Sequence, residues 1–225
     1  MTRSVPVGEV RLLGDRALLV GVADARAGRR LGRALQARWT GGAVEIVGGF
    51  ATVMVALRDP ALELDAVRHE AGRLAAQGDG AAEAAAGGSE RTGRTLTVPC
   101  AFDGPDLAEV AAVAGRPPAE VVDLLTAGPL TVAVIGFAPG FAYLDGLPAP
   151  LRGVPRRPTP RAVVPAGSVA LANGYAAVYP TASPGGWQLI GRTATSFFSA
   201  TDPPYAALAP GDQVQLVEAA MDDAA

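Results

Sequence analysis

Residues 78–94 read GDGAAEAAAGGSERTGR, a run of alanine, glycine and charge without one large apolar side chain. Such a stretch cannot bury enough apolar surface to offset the entropy of ordering it, so no core passes through it. It cuts the 225-residue chain into an N-terminal part, residues 1–77, and a larger part, residues 95–218, with residues 219–225 as a tail. Hydrophobic residues make up 49% of the chain, so both parts have the material for a core of their own.

The N-terminal part reads as a compact α/β unit. Residues 9–13 and 17–22 are apolar runs separated by Gly14-Asp15, a turn signal. Asp24 is placed to cap a helix carrying Ala27, Leu31, Ala34, Leu35 and Arg38 at spacings near 3.6. Residues 44–47 and 52–57 are two further strands joined across Gly48-Gly49. Asp59-Pro60 supplies a helix start, and Leu64, Val67, Ala71 and Leu74 share one face of the helix that follows. The order ββαββα predicts a small sandwich with an antiparallel sheet.

The second part opens on a strand at 95–100. Residues 105–114 and 117–127 read as helices, each starting near a proline and ending at a glycine, Gly115 or Gly128. After a strand at 132–135 the chain becomes short apolar runs broken by glycine and proline. Candidate strands at 168–172, 176–179, 187–190, 195–198 and 213–217 predict a closed barrel or sandwich. Residues 148–165 are too proline-broken for helix or strand and predict a long ordered surface loop. The fold class is α+β, a small sandwich followed by a β-barrel.

Composition excludes several chemistries. All 19 basic residues are arginine, so a lysine P-loop, a Schiff-base lysine and a biotinylated lysine are impossible within this chain. One cysteine, Cys100, and one histidine, His69, rule out an intrachain disulfide and leave no material for a thiolate–imidazole zinc site. Cys100 ends an apolar strand and reads as a small buried hydrophobe, and His69 reads as a surface helix residue. The net charge of -3 gives no electrostatic reason to expect nucleic acid or an anionic membrane. No leader and no apolar run of membrane-spanning length are visible, so a cytoplasmic protein is expected. Any catalysis falls to arginine, carboxylates, hydroxyls, amides and backbone.

Three clusters could carry it. Residues 136–144, GFAPGFAYL, are poor helix or strand material, but their glycines permit close backbone approach and their aromatics can wall a pocket. A barrel-end loop plugging its own core would carry the same residues. Arg156-Arg157-Pro158-Thr159-Pro160-Arg161 presents three planar guanidiniums on a semi-rigid backbone, suited to carboxylate or phosphate and equally to solvent. In residues 179–193, YPTASPGGWQLIGRT, Gly185-Gly186 reads as a tight turn or a backbone anion nest, and Trp187 and Gln188 must face opposite sides of one strand. Asp103, Asp106 and Asp145 sit near turns and read as caps or turn formers.

GFAPGFAYLDGLP, PRRPTPRAVVPAGSVALANGYAAVYP and SPGGWQLIGRT together closely resemble the family of B-type 5-oxoprolinase subunits, also known as allophanate hydrolase subunit 1 and as the KipI sensor-kinase inhibitor. FDGPDLAEVAAVAG and GDRALLV resemble its motifs at the opening of the second domain and in an N-terminal strand. The resemblance implies a cyclophilin-like β-barrel after the small domain, and kinship with the carboxyltransferase region of urea carboxylase. It implies a paired C-type subunit and a third A-type subunit that together hydrolyse 5-oxoproline to glutamate. ATP would drive the reaction, with Mg²⁺ carried on the nucleotide rather than in a protein metal site.

Carried onto that chemistry, Arg161, Gln188 and Arg192 are the candidate catalytic residues. Phe137, Pro139, Gly140, Phe141, Tyr143, Ser168, Tyr179, Gly186, Trp187 and Thr193 are the candidate substrate-binding residues. One departure stands out: the family pattern places a histidine shortly before the strand leading into GFxPGF, where this chain reads Thr126-Ala127-Gly128-Pro129-Leu130. Two alternatives remain. One is a binding module that docks a sensor histidine kinase, and the other is a carboxyltransferase half served by a biotin carrier on another protein.

Overall fold

The computed structural model describes residues 5–76 and 93–220. The chain forms two compact units, residues 1–91 and 92–225. The glycine- and alanine-rich stretch expected to be a linker falls almost wholly outside the described residues, as do the last five residues of the tail.

In the first unit, strands β1 (Val10–Leu12), β2 (Ala17–Gly21), β3 (Val44–Gly48) and β4 (Thr52–Leu57) make an antiparallel sheet ordered β1-β2-β4-β3. Helix α1 (Ala25–Arg38) follows at the expected place, but α2 (Leu64–Ala76) begins four residues after Pro60: Asp59-Pro60 makes a separate turn, in which the Asp59 carboxylate accepts the Ala61 N–H at 2.8 Å. The Asp24 carboxylate accepts the Ala27 N–H at 2.8 Å, satisfying one of the orphan donors of the first turn of α1. The inward-facing Leu18, Val20, Val53 and Val55 of the sheet meet Leu31 and Leu35 of α1 and Val67 and Leu74 of α2. Gly32 is where α1 comes close to the sheet: a Cβ there would stand 2.9 Å from the Ile46 methyl.

The second unit is built on a seven-stranded sheet ordered β12-β9-β10-β7-β6-β13-β5. Its strands are β5 (Thr95–Cys100), β6 (Leu130–Ile135), β7 (Ala142–Asp145), β9 (Ser168–Ala172), β10 (Tyr175–Val178), β12 (Gln188–Arg192) and β13 (Gln213–Glu218). All neighbours run antiparallel except β13 and β5. The two edges nearly meet: Ala101, just past β5, and Arg192, at the end of β12, exchange reciprocal N–H···O bonds of 2.9 Å. That bridge makes the sheet a nearly closed barrel, which removes most of its exposed edge. Helices α3 (Leu107–Ala114) and α4 (Pro118–Thr126) pack on its core, and Gly115 ends α3 in the left-handed conformation at φ 63°. β8 (Arg161–Val164) and β11 (Ser183–Gly185) form a separate two-stranded ribbon.

Three expectations fail in the second unit. Residues 148–165 are not a loop throughout, because they hold a 3₁₀ turn at Ala149–Leu151 and strand β8. Prolines 158 and 160 precede β8 and Pro165 follows it, so none removes a donor from inside the strand. GFAPGFAYL contributes its last residues to β7, which begins two residues beyond the left-handed Gly140. Residues 195–198 form no strand beyond an isolated bridge from Phe198 to Ala206. There Thr193 Oγ1 accepts the Thr195 N–H at 3.1 Å, a local side-chain bond in place of a ladder.

Every residue of β9 is buried, which an alternating one-sided strand would not show. Val169 and Leu171 point into the large barrel core with Ala176, Val178 and Ile190. Ala170 and Ala172 point the other way, into a smaller cluster with Ala177, Tyr179, Trp187, Leu189 and Phe141. Three alanines on that outer face leave room for rings to lie against the wall. The site begins there.

Candidate functional site

Phe141 is 1% exposed and sits at the middle of an aromatic cluster. Its ring meets Phe137 at 5.2 Å, Tyr143 at 5.1 Å, Tyr179 at 5.3 Å and Trp187 at 5.7 Å, all edge to face. Such packing places the positive ring edges on the negative faces. Two backbone features bring these rings together. Gly140 holds φ +77°, and a Cβ there would lie 2.7 Å from Phe197 O, so only glycine fits between the loop and the 197 backbone. Gly185 passes over Tyr179, whose hydroxyl would lie 2.3 Å from a Cβ. Neither Gly185 nor Gly186 has a positive φ, and Gly185 is the last residue of strand β11. The pair therefore makes neither the tight turn nor the anion nest expected of it.

A small cavity of ≈ 70 Å³ opens among Phe137, Phe141, Tyr143, Tyr179 and Trp187, with Pro184, Gly185, Gly186 and Arg156 completing its wall. Phe137 stands at 65% exposure with φ 72°, a left-handed conformation that costs an ordinary side chain about 1–2 kcal/mol. Burial pushes the Tyr179 hydroxyl up from its ordinary range against the pull of the Trp187 backbone bond and the Arg156 and Arg161 charges. It remains a neutral phenol at physiological pH.

The three arginines of residues 156–161 separate into two kinds. Asp106, 4% exposed, accepts Arg157 Nη1 at 2.9 Å and Arg161 Nη2 at 2.7 Å on one oxygen, and the Leu189 N–H at 2.7 Å on the other. Burial alone would raise this carboxyl. The hydrogen bonds from Arg161 and Leu189 and the charges of Arg161 and Arg157 outweigh it and hold the group below the usual carboxylate range. Arg157 is pinned a second time, its N–H donating to Gly186 O at 2.8 Å. Arg161 also reaches Trp187 O at 3.4 Å. Arg156, at the start of this clamped segment, is left facing the cavity.

Of the residues singled out from the sequence, Phe137, Phe141, Tyr143, Tyr179, Gly186 and Trp187 line the cavity. Gly140 shapes the loop beneath it, and Pro139 is exposed. Gln188, 1% exposed, donates to Glu109 at 3.3 Å, and its Oε1 is buried without a partner. Arg192 pairs with Asp103 at 3.1 Å. The Ser168 hydroxyl donates to Pro165 O at 2.8 Å, and the Thr193 hydroxyl bonds Thr195 Oγ1 at 3.1 Å. Asp106, a cap or turn former by its place in the sequence, does occupy the N-cap position of α3, yet its side chain makes no cap bond there. Its partners lie 51 and 55 residues away, which no local pattern reveals. Gly128 and Pro129, where the resemblance led to the expectation of a histidine, turn the chain from α4 into β6.

Among the described residues no group of three or more histidine, cysteine, aspartate or glutamate side chains is arranged to hold a metal. No described helix is long and apolar enough to cross a membrane.

The family model described as carboxyltransferase domain, subdomain C and D, matches residues 8–208. The chain belongs to this family. The kinship to B-type 5-oxoprolinase subunits read from the motifs holds as well. The B-type 5-oxoprolinase subunit of Escherichia coli O157:H7 is 42% identical over 179 residues, 77% of either chain. Its namesake from Bacillus subtilis strain 168 is 42% identical over 127 residues, 55% of this chain and 52% of the relative. Among solved structures, TTHA0988 superposes with a TM-score of 0.71 at 28% identity, covering 92% of this chain. This chain spans 40% of that larger one. Urea carboxylase from Kluyveromyces lactis superposes with a TM-score of 0.69 at 19% identity over 95% of this chain and 22% of that one, a likeness of fold alone.

Proposed function

We propose that this chain is the B-type subunit of an ATP-dependent 5-oxoprolinase, a cyclic amide hydrolase that works as a hetero-oligomer with a paired C-type and a third A-type subunit. The observation that carries the reading is the 42% identity to a B-type 5-oxoprolinase subunit over three quarters of both chains. A small aromatic-walled cavity with a cation on its wall suits a small cyclic acid better than an extended polymer.

A lactam carbonyl is a poor electrophile, so ring opening needs its oxygen activated while positive charge and oriented donors stabilise what develops there. The cavity rings would hold the substrate and exclude water from it. Arg192, at the end of β12 with a side chain 40% exposed, is not part of the cavity wall, and its proposed part is to meet reacting oxygens in the assembled complex. Arg161 and Gln188 are held by Asp106 and Glu109, and their part in the reading is to position the walls around Trp187. The cavity, ≈ 70 Å³, is small beside a whole nucleotide. We therefore place the nucleotide, with its Mg²⁺, in the assembled complex and route no step through it here. The cytoplasm is the compartment where that nucleotide is available.

The test is ATP turnover with 5-oxoproline, measured for this chain alone, for the partner subunits alone and for the mixture. Turnover confined to the mixture, and abolished by Arg192→Ala in a complex that still assembles, supports a shared active site. A stable complex without turnover sinks the 5-oxoprolinase reading and directs attention to sensor-kinase binding.

A further inference from the structure

Three arginines lie within residues 156–161, and the described residues offer them a single buried carboxylate. Arg157 and Arg161 both pair with Asp106, so those two guanidiniums and the carboxylate together still carry one net positive charge. Arg156 makes no hydrogen bond or ion pair with the described residues, and it forms part of the cavity wall beside Tyr179 and Trp187. The other carboxylates nearby are engaged elsewhere, Glu109 with Gln188 and Asp103 with Arg192. The cavity is thus walled largely by aromatic rings, two of them carrying hydroxyls, with a cation on one side. The backbone that carries this exposed arginine is tied down at its neighbour Arg157, by side chain and N–H both.

We propose that this cavity binds a small ring bearing a carboxylate, with Arg156 as the residue that pairs with the carboxylate. The aromatic edges and faces around Phe141 give a small ring a rigid apolar bed to lie against. A planar guanidinium presents two parallel donors that match a carboxylate in fork geometry. The small volume suits a single small ring better than a whole nucleotide or a folded peptide. The inference deepens the reading above and takes its substrate, 5-oxoproline, as one member of the class. It also names a specificity: a ring without the acid group loses the one charged contact the cavity offers.

Isothermal titration of the full chain tests it, using 5-oxoproline, 2-pyrrolidinone, which is the same ring without the acid, and 2-furoate, a flat cyclic acid of different chemistry. Arg156→Gln and Arg156→Lys are titrated alongside, with circular dichroism to confirm that both variants fold. The expected result is that 5-oxoproline binds about 10- to 100-fold more tightly than 2-pyrrolidinone. Arg156→Gln should remove that advantage while leaving 2-pyrrolidinone unchanged, and Arg156→Lys should restore part of it. Binding of 2-furoate but not 5-oxoproline, still dependent on Arg156, upholds the site and removes the 5-oxoprolinase assignment. Binding of 5-oxoproline that ignores Arg156→Gln overturns the site and leaves that assignment standing. If no acid binds the chain alone, the titration is repeated on the complex with its paired subunit, and silence there too overturns the proposal.

Discussion

Replacing Asp106 with asparagine tests whether one carboxylate organises the outer wall of the barrel. The carboxylate accepts three hydrogen bonds of 2.7–2.9 Å, two of them from guanidiniums. Asparagine has one acceptor oxygen, so its amide would face the N–H of Leu189 or a guanidinium, and neither arginine would have a counter-charge. The arginine side chains are 31% and 23% exposed, so water recovers part of the loss. Hydrogen bonds to charged groups and broken buried pairs then set the cost at about 3 kcal/mol. For a protein of this size that corresponds to a melting temperature lower by about 6–12 °C. The melt is followed by fluorescence in a Trp39→Phe background, so that Trp187, beside the network, is the sole reporter. The pH dependence gives a second handle. Because the folded carboxyl titrates below its ordinary value, its stabilisation is complete above the unfolded value near pH 4 and disappears as pH falls through the folded one. The gap between wild type and Asp106→Asn should therefore be full at pH 7 and narrow steadily below about pH 4. A gap under about 1 kcal/mol at pH 7, or one that persists unchanged into acid, would refute the reasoning.

Three further outcomes are expected. Cys100, fully buried, has its thiol pushed up to about 12 by burial, so a disulfide reagent at pH 8 should label it only after denaturant is added. Gly140→Ala places a methyl 2.7 Å from Phe197 O at a left-handed φ, and equilibrium urea unfolding should show a loss of at least about 2 kcal/mol. Phe137→Gly removes about 1–2 kcal/mol of backbone strain, offset in part by about 0.5–1 kcal/mol of added freedom in the unfolded chain. Thermal melts should move little, while affinity for 5-oxoproline falls with the loss of a cavity wall.

The first unit is legible almost strand by strand because each element carries its own period, capped by Asp24 or broken at Gly48-Gly49. In the second unit, β9 and β13 are visible as apolar runs, but β7, β8 and β11 are not. Those three strands are three or four residues long and sit among Pro139, Pro160 and Pro184, so tertiary pairing and not local propensity fixes them. The expected strand at 195–198 fails because Thr195-Ser196-Phe197-Phe198 has no alternation to hold it in a ladder, and hydroxyls at 193 and 196 bond nearby backbone instead. The aromatic wall is readable as a cluster of rings near glycines. Asp106 is not, because its importance lies in contacts to residues more than fifty positions away.

The parallel pairing of β13 with β5 has a consequence for how the chain is made. Strand β13 also pairs with β6, so one late segment, Gln213–Glu218, completes two neighbours that leave the ribosome much earlier. Several seconds of synthesis separate them at ordinary translation rates. During that interval β6 has β7 on one side, but the edges of β5 and β6 that await β13 have only each other or a foreign strand to pair with. A ribosome stalled before residue 213 should therefore hold a first unit already folded beside a second that is protease-sensitive and chaperone-bound. Release of one more strand would convert it.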